Sequence, residues 1–199
     1  MPEAVLLDRL ERHAPEVCEH MRRTAQVAGL VSEQLRLSRG AQQLVVRTAG
    51  LHDIGKLAIP RELLRKWTPL EATERRAIRE HVVVGYRLLK LDPELEGLAL
   101  LVRSSHEWLD GTGYPDGLDG ERIPMPARIV AVCDAFDAIT EGRLYRPRLE
   151  VGPALEELHR WAGSQFDPTM VEALGKAVGG RGLGAQLAGI GSRFRGEQS

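Results

Sequence analysis

Apolar positions along the chain recur at helical spacing. His20, Thr24, Val27 and Val31 fall at i, i+4, i+7 and i+11 and so share one helical face. Ala41, Leu44, Val45, Thr48, Ala49 and His52 form the inward stripe of a following helix, with Ser38 as its N-cap. Proline and glycine punctuate the pattern. Pro2 opens a short first helix, and Pro15 opens a longer one to about Leu37. Gly55 and Pro60 break the chain after the third helix. Thr68-Pro69-Leu70-Glu71 reads as a capping box before a helical stretch to about Leu91, bent near His81. Asp92-Pro93 begins another helix, ending near Trp108. Ala127 to Glu141 is strongly apolar, Pro153 and Pro168 start two more helices, and Gly179-Gly180 closes the last. No period-two alternation and no internal repeat stand out. The expected fold is all-α, a compact helical bundle.

Two stretches lack this periodicity. Asp110 to Pro126 holds Gly111, Gly113, Gly117 and Gly120 with Pro115, Pro124 and Pro126. A loop of that length inside a compact domain is usually functional or disordered. Residues 179–199 hold 7 of the 21 glycines, which divides the chain into a domain over 1–178 and a Gly-rich C-terminal tail over 179–199.

Composition narrows the function classes. A chain of 199 residues is long enough to bury a sizeable core. With 27 basic against 28 acidic residues, charge does not favour a nucleic-acid polymer as partner. No apolar run reaches the ~18 residues of a membrane span, and charge follows the N-terminus at once, so neither membrane nor secretion is expected. Two cysteines, Cys18 and Cys133, cannot build a disulfide framework; they are expected in the core of a cytoplasmic protein.

The informative residues are His and Asp. His52-Asp53 are adjacent, with Lys56 one turn later. His20 lies 32 residues before His52, and His81, His106 and Asp134 follow at intervals of 29, 25 and 28. Each belongs to a separate predicted helix or its end. Helical bundles bring such positions together as metal sites, and imidazole with carboxylate suits Mn, Fe, Ni or Zn. Glu16, one turn before His20, is a candidate further ligand or a carboxylate orienting an imidazole. His13 and His159 lack such a setting and are expected at the surface.

These residues form an ordered set. Leu51-His52-Asp53-Ile54-Gly55-Lys56 resembles the HD motif of the metal-dependent HD phosphohydrolases, and Asp110-Gly111-Thr112-Gly113-Tyr114-Pro115 resembles the GYP motif of the HD-GYP subfamily. Ala127-Arg128-Ile129-Val130, Asp134-Ala135-Phe136-Asp137 and Arg143-Leu144-Tyr145-Arg146 continue the likeness, which runs from about Glu16 to Val178. The resemblance implies an HD-type bundle that hydrolyses cyclic di-GMP with two divalent transition ions, the final product being pGpG or GMP. It assigns His20, His52, Asp53 and Asp134 to one ion, and Asp53, His81 and His106 to the second. Glu16 would help to hold a third ion in a trinuclear variant. Lys56, Tyr114, Arg143 and Arg146 would contact substrate, with Asp53 and Lys56 catalytic. The family usually carries two adjacent histidines where this chain has Ser105-His106. That departure favours the alternative, a degenerate module binding a nucleotide or a protein without efficient catalysis. No sensor domain fits before Glu16, so control is expected from a partner, from metal or substrate supply, or not at all; the expected partners besides the cyclic dinucleotide are a regulatory protein or a second copy in a homodimer.

Overall fold

The computed structural model describes residues 1–141 and 148–179. Ten α-helices occur among them: α1 (Glu3–His13), α2 (Pro15–Gln34), α3 (Arg39–Leu51), α4 (Arg61–Leu64), α5 (Ala72–Arg79), α6 (His81–Lys90), α7 (Glu96–Arg103), α8 (Met125–Thr140), α9 (Val151–Arg160) and α10 (Pro168–Val178). Short 3₁₀ turns cover Ile54–Ala58 and Gly120–Arg122. The described residues contain no strand, only isolated bridges between Asp110 and Asp119 and between Ala162 and Phe166. The expected all-α class is what forms. No helix among the described residues is long and apolar enough to cross a membrane. The predicted tail beyond Gly179 lies outside the described residues.

Boundaries follow local chemistry. Ser38 caps α3 as expected, accepting the Ala41 N–H at 3.3 Å. The capping box forms three residues later than the Thr68 reading. Lys66 Nζ holds Glu74 Oε2 at 2.6 Å, and Glu74 accepts the Glu71 N–H at 2.8 Å, so Glu71 is the cap and α5 starts at Ala72. α5 and α6 meet at Glu80, the expected bend beside His81. α7 starts at Glu96 because Asp92 accepts the Glu94 N–H at 3.0 Å and holds a turn there. It stops at Arg103, well short of Trp108. Beyond it the Ser104 and Ser105 hydroxyls donate to the Leu100 and Val102 carbonyls at 2.9 and 2.8 Å.

The core has two parts. Leu6, Leu10, Cys18, Met21, Leu51, Ile54, Leu89, Leu98 and Val102 pack α1, the start of α2, α6 and α7 together. Val27, Val31, Val45, Ala49, Ile129, Phe136, Leu158 and Leu174 pack the rest of α2 with α3, α8, α9 and α10. His20 and His52 fall where α2 and α3 pass from one part to the other. Asp134 comes from α8, in the second part, while His81 and His106 come from α6 and the turn after α7, in the first. Each half therefore presents ligand-type side chains to the seam. The turn at 54–58 is pressed onto α6: a Cβ on Gly55 would lie 1.9 Å from the His81 carbonyl oxygen and 2.5 Å from the Gly85 nitrogen.

Candidate metal centre

The seam gathers two triads, His20–His52–Asp134 and Asp53–His81–His106, each with ligand atoms within 4.8 Å of one another. In the first, His20 Nε2 lies 2.9 Å from Asp134 Oδ1, and His52 Nε2 lies 3.8 Å from the same oxygen. In the second, His81 Nε2 lies 3.0 Å from Asp53 Oδ1 and 3.1 Å from His106 Nε2. Asp53 joins them, its Oδ2 standing 3.5 Å from His52 Nε2 and 3.8 Å from His20 Nε2. Six residues spread over more than a hundred positions thus meet as their spacing suggested.

Proton positions show what this arrangement accepts. His52 Nδ1 donates to the Ala49 carbonyl at 2.8 Å, and His81 Nδ1 donates to the Ile78 carbonyl at 2.7 Å. In neutral imidazoles those bonds leave Nε2 bare and aimed into the seam. Burial lowers the pKa of His52 despite Asp53 and Asp134. Burial, with repulsion from His81, pushes His106 down to about 3. Both rings are neutral near pH 7, and the bare Nε2 of His52 faces the Asp53 and Asp134 carboxylates at 3.5 and 3.8 Å. His52 Nε2 and Asp53 Oδ1 are buried and find no hydrogen-bond partner. A cluster of acceptors short of donors is costly unless a cation sits among them. Imidazole nitrogens with carboxylate oxygens are the donor set of a borderline first-row dication, and these residues fit one.

Charge already favours the ionised carboxylates. Burial opposes ionisation of Asp134, but its hydrogen bond with His20 and the surrounding imidazoles hold its pKa far below the usual range. Asp53 is likewise lowered: burial opposes, and Lys56, His52 and His81 prevail. His20 is the exception among the imidazoles. Burial pulls it down, yet hydrogen bonds to Asp134 and Asp137 carry it up to about 9.

Asp137 belongs to the segment Asp134-Ala135-Phe136-Asp137, to which the resemblance assigns only Asp134 as a ligand. Its Oδ2 takes the His20 Nδ1 at 2.6 Å, and its two oxygens accept Arg23 Nε and Nη2 at 2.7 and 2.9 Å. It lies three residues after Asp134 on α8, as Arg23 lies three after His20 on α2, and i, i+3 spacing was the available signal. The orienting carboxylate expected of Glu16 is therefore supplied by Asp137. Glu16 is exposed and pairs with Arg65 Nε at 2.9 Å, apart from both triads. Glu107 is a second residue without an assigned role. Buried, it accepts the N–H groups of Asp116 and Leu118 at 2.7 and 3.1 Å and so ties down the Gly-rich loop. Gly113 lets that loop close: a Cβ there would sit 2.2 Å from the Trp108 nitrogen.

Of the expected substrate contacts, Lys56 reaches the site, with Nζ on Asp53 Oδ2. Tyr114 stacks on His106 with ring centroids 5.2 Å apart and planes 5° from parallel. Arg143 and Arg146 lie outside the described residues. Ser105 is buried and its hydroxyl is committed to the Val102 carbonyl, so it joins neither triad. Of the two remaining histidines, His159 is at the surface as expected. His13 is partly buried, its Nε2 2.8 Å from the Ile59 carbonyl oxygen.

The HD domain family matches residues 4–170. A cyclic di-GMP phosphodiesterase response regulator, RpfG of Xanthomonas campestris pv. campestris, is 43% identical over 77% of this chain and 41% of its own length. The 3'3'-cGAMP-specific phosphodiesterase 3 of Vibrio cholerae is 35% identical over 85% of this chain and 37% of its own. This chain spans about two fifths of the length of the curated relatives it matches. Among solved structures, the V. cholerae cyclic GMP-AMP phosphodiesterase V-cGAP3 superposes with a TM-score of 0.68 at 21% identity, over 96% of this chain and 51% of that one. The L. monocytogenes PgpH HD domain in complex with cyclic-di-AMP superposes at 0.65 with 15% identity, over 96% and 99%. At those identities the structures establish the shared fold. The sequence matches establish more: this chain belongs to the HD domain family, in its HD-GYP branch.

Proposed function

We propose that this chain is a metal-dependent phosphodiesterase that hydrolyses cyclic di-GMP to pGpG or GMP. The observation that carries the reading is the pair of triads joined through Asp53, with acceptor lone pairs of His52 and Asp53 buried and turned inward. His20, His52, Asp53 and Asp134 would hold one dication, and Asp53, His81 and His106 a second, of Fe, Mn, Ni or Zn. Bound there, two dications acidify water and neutralise charge on a phosphoryl group.

The chain's own residues do the rest. Asp137 holds the Nδ1 proton of His20 and fixes that ring. The Ala49 and Ile78 carbonyls do the same for His52 and His81. Lys56 brings an ammonium to Asp53, where it can pass to a phosphate oxygen as substrate enters. Tyr114, stacked on His106, would line the substrate cleft. Arg143 and Arg146 remain proposed phosphate ligands. The names of the relatives, cyclic di-GMP and 3'3'-cGAMP phosphodiesterases, support a cyclic dinucleotide substrate.

A second reading, a nucleotide- or protein-binding module without efficient turnover, rests on Ser105 alone. The test is to load the protein with each of the four metals and follow cyclic di-GMP, 3'3'-cGAMP and cyclic di-AMP by chromatography. Conversion of cyclic di-GMP to pGpG, lost in Asp53→Asn, is expected. Nucleotide binding without turnover under every metal would leave the second reading standing.

A further inference from the structure

Arg79 is the last residue of α5, exposed and two positions before His81. Its guanidinium carbon lies 4.8 Å from the centroid of the Tyr114 ring, the ring that stacks on His106. A nearby arginine behaves differently. Arg103 lies over Tyr86 at 5.4 Å, but its guanidinium is taken by Asp116 in a bidentate pair at 2.6 and 2.7 Å. Among the described residues Arg79 pairs with no carboxylate, and its contact is the Tyr114 ring. Cation–π attraction places a guanidinium but leaves its five N–H donors unspent. A phosphodiester oxygen is the acceptor such a fork matches best.

The placement is also selective. Asp53, Asp134 and Asp137 line the seam with carboxyl groups, and Lys56 is paired with Asp53. Arg79 is then the uncommitted cation beside the Asp53–His81–His106 triad among the described residues. We infer that Arg79 is a substrate-binding residue, donating to a phosphate oxygen of the bound dinucleotide while Tyr114 holds its guanidinium in place. This inference rests on the proposed cyclic-dinucleotide substrate and adds to it a binding residue on α5.

The experiment measures binding without turnover. A phosphorothioate analogue of cyclic di-GMP is titrated calorimetrically into wild type, Arg79→Gln and Arg79→Lys at several salt concentrations, with metal content measured in each preparation. Arg79→Gln is expected to weaken binding about tenfold and to flatten the slope of log Kd against log salt, with metal content unchanged. Arg79→Lys, which keeps the charge and loses the fork, should recover the slope but only part of the affinity. Equal affinity and slope in wild type and Arg79→Gln would overturn the inference and leave the function standing. Weaker binding at an unchanged slope would also overturn it, since the arginine would then act by stacking. A wild type that binds no cyclic dinucleotide would remove the functional reading and this inference with it.

Discussion

The two triads differ in what stands behind them. His20–His52–Asp134 is backed by charge: Asp137 grips His20 and is itself gripped by Arg23, all with little solvent contact. The imidazoles of Asp53–His81–His106 are backed by neutral groups, and the charge in that set is Lys56 on the shared Asp53. The Ile78 carbonyl holds His81, the Tyr114 ring covers His106, and Ser105 has turned away to Val102. A ligand set fixed by ion pairs keeps its geometry and its negative charge without an ion. One fixed by a carbonyl and a stacked ring keeps shape but has less to attract the ion. The expected result is a tight position between α2, α3 and α8 and a labile one toward α6 and α7.

The largest test removes what the triads share. Asp53→Ala should abolish binding at both positions and with it all hydrolysis, read as metal content by mass spectrometry. A variant retaining one full equivalent would show the triads to be independent. Next, Ser105→His should add a ligand to the weaker set alone, slowing loss of the second ion to a chelator by roughly tenfold. If wild type already retains both ions equally, the contrast between the triads is broken. Asp137→Asn keeps the shape of its side chain and removes its charge. It should weaken the first position by about ten- to a hundredfold and leave the second untouched, in competition titrations with a chromophoric chelator.

The smallest effect is on metal-free stability against pH. His20 has its pKa raised from 6.5 to about 9 in the fold, so its stabilising contribution is complete below about 6.5 and disappears as pH rises through about 9. His52 and His106 are lowered, so their contributions are present above about 6.5 and are lost as pH falls below it. The metal-free melting temperature should therefore peak near pH 6.5. A flat profile would mean that His20 is not held between Asp134 and Asp137 in solution.

Much of this was readable in the residues. The helices follow apolar spacing and proline positions, and His20, His52, Asp53, His81, His106 and Asp134 meet because each lies on, or just beyond, a helix that flanks the seam. What escaped depends on competition among neighbours. Glu16 sits one turn before His20, a reasonable place for a ligand, but Arg65 claims it from a distant segment. Asp137 occupied the right face of α8, yet only the approach of α2 shows that it, and not Glu16, meets His20 Nδ1. Arg79 had no sequence signal, since two residues from His81 is the wrong spacing for a shared helical face. It reaches the site only because α5 and α6 break at Glu80.

Gly55 gives the site one further property. The turn that carries Asp53 and Lys56 rests on the His81 carbonyl and the Gly85 nitrogen with no side chain between them. A joint made of main chain against main chain has nothing to trim. Substitutions elsewhere can retune affinity by changing a ligand, but the gap between Asp53 and His81 has no residue-sized step available to it. Drift in this lineage would therefore alter which ions are held, and how firmly, long before it altered how far apart they are held.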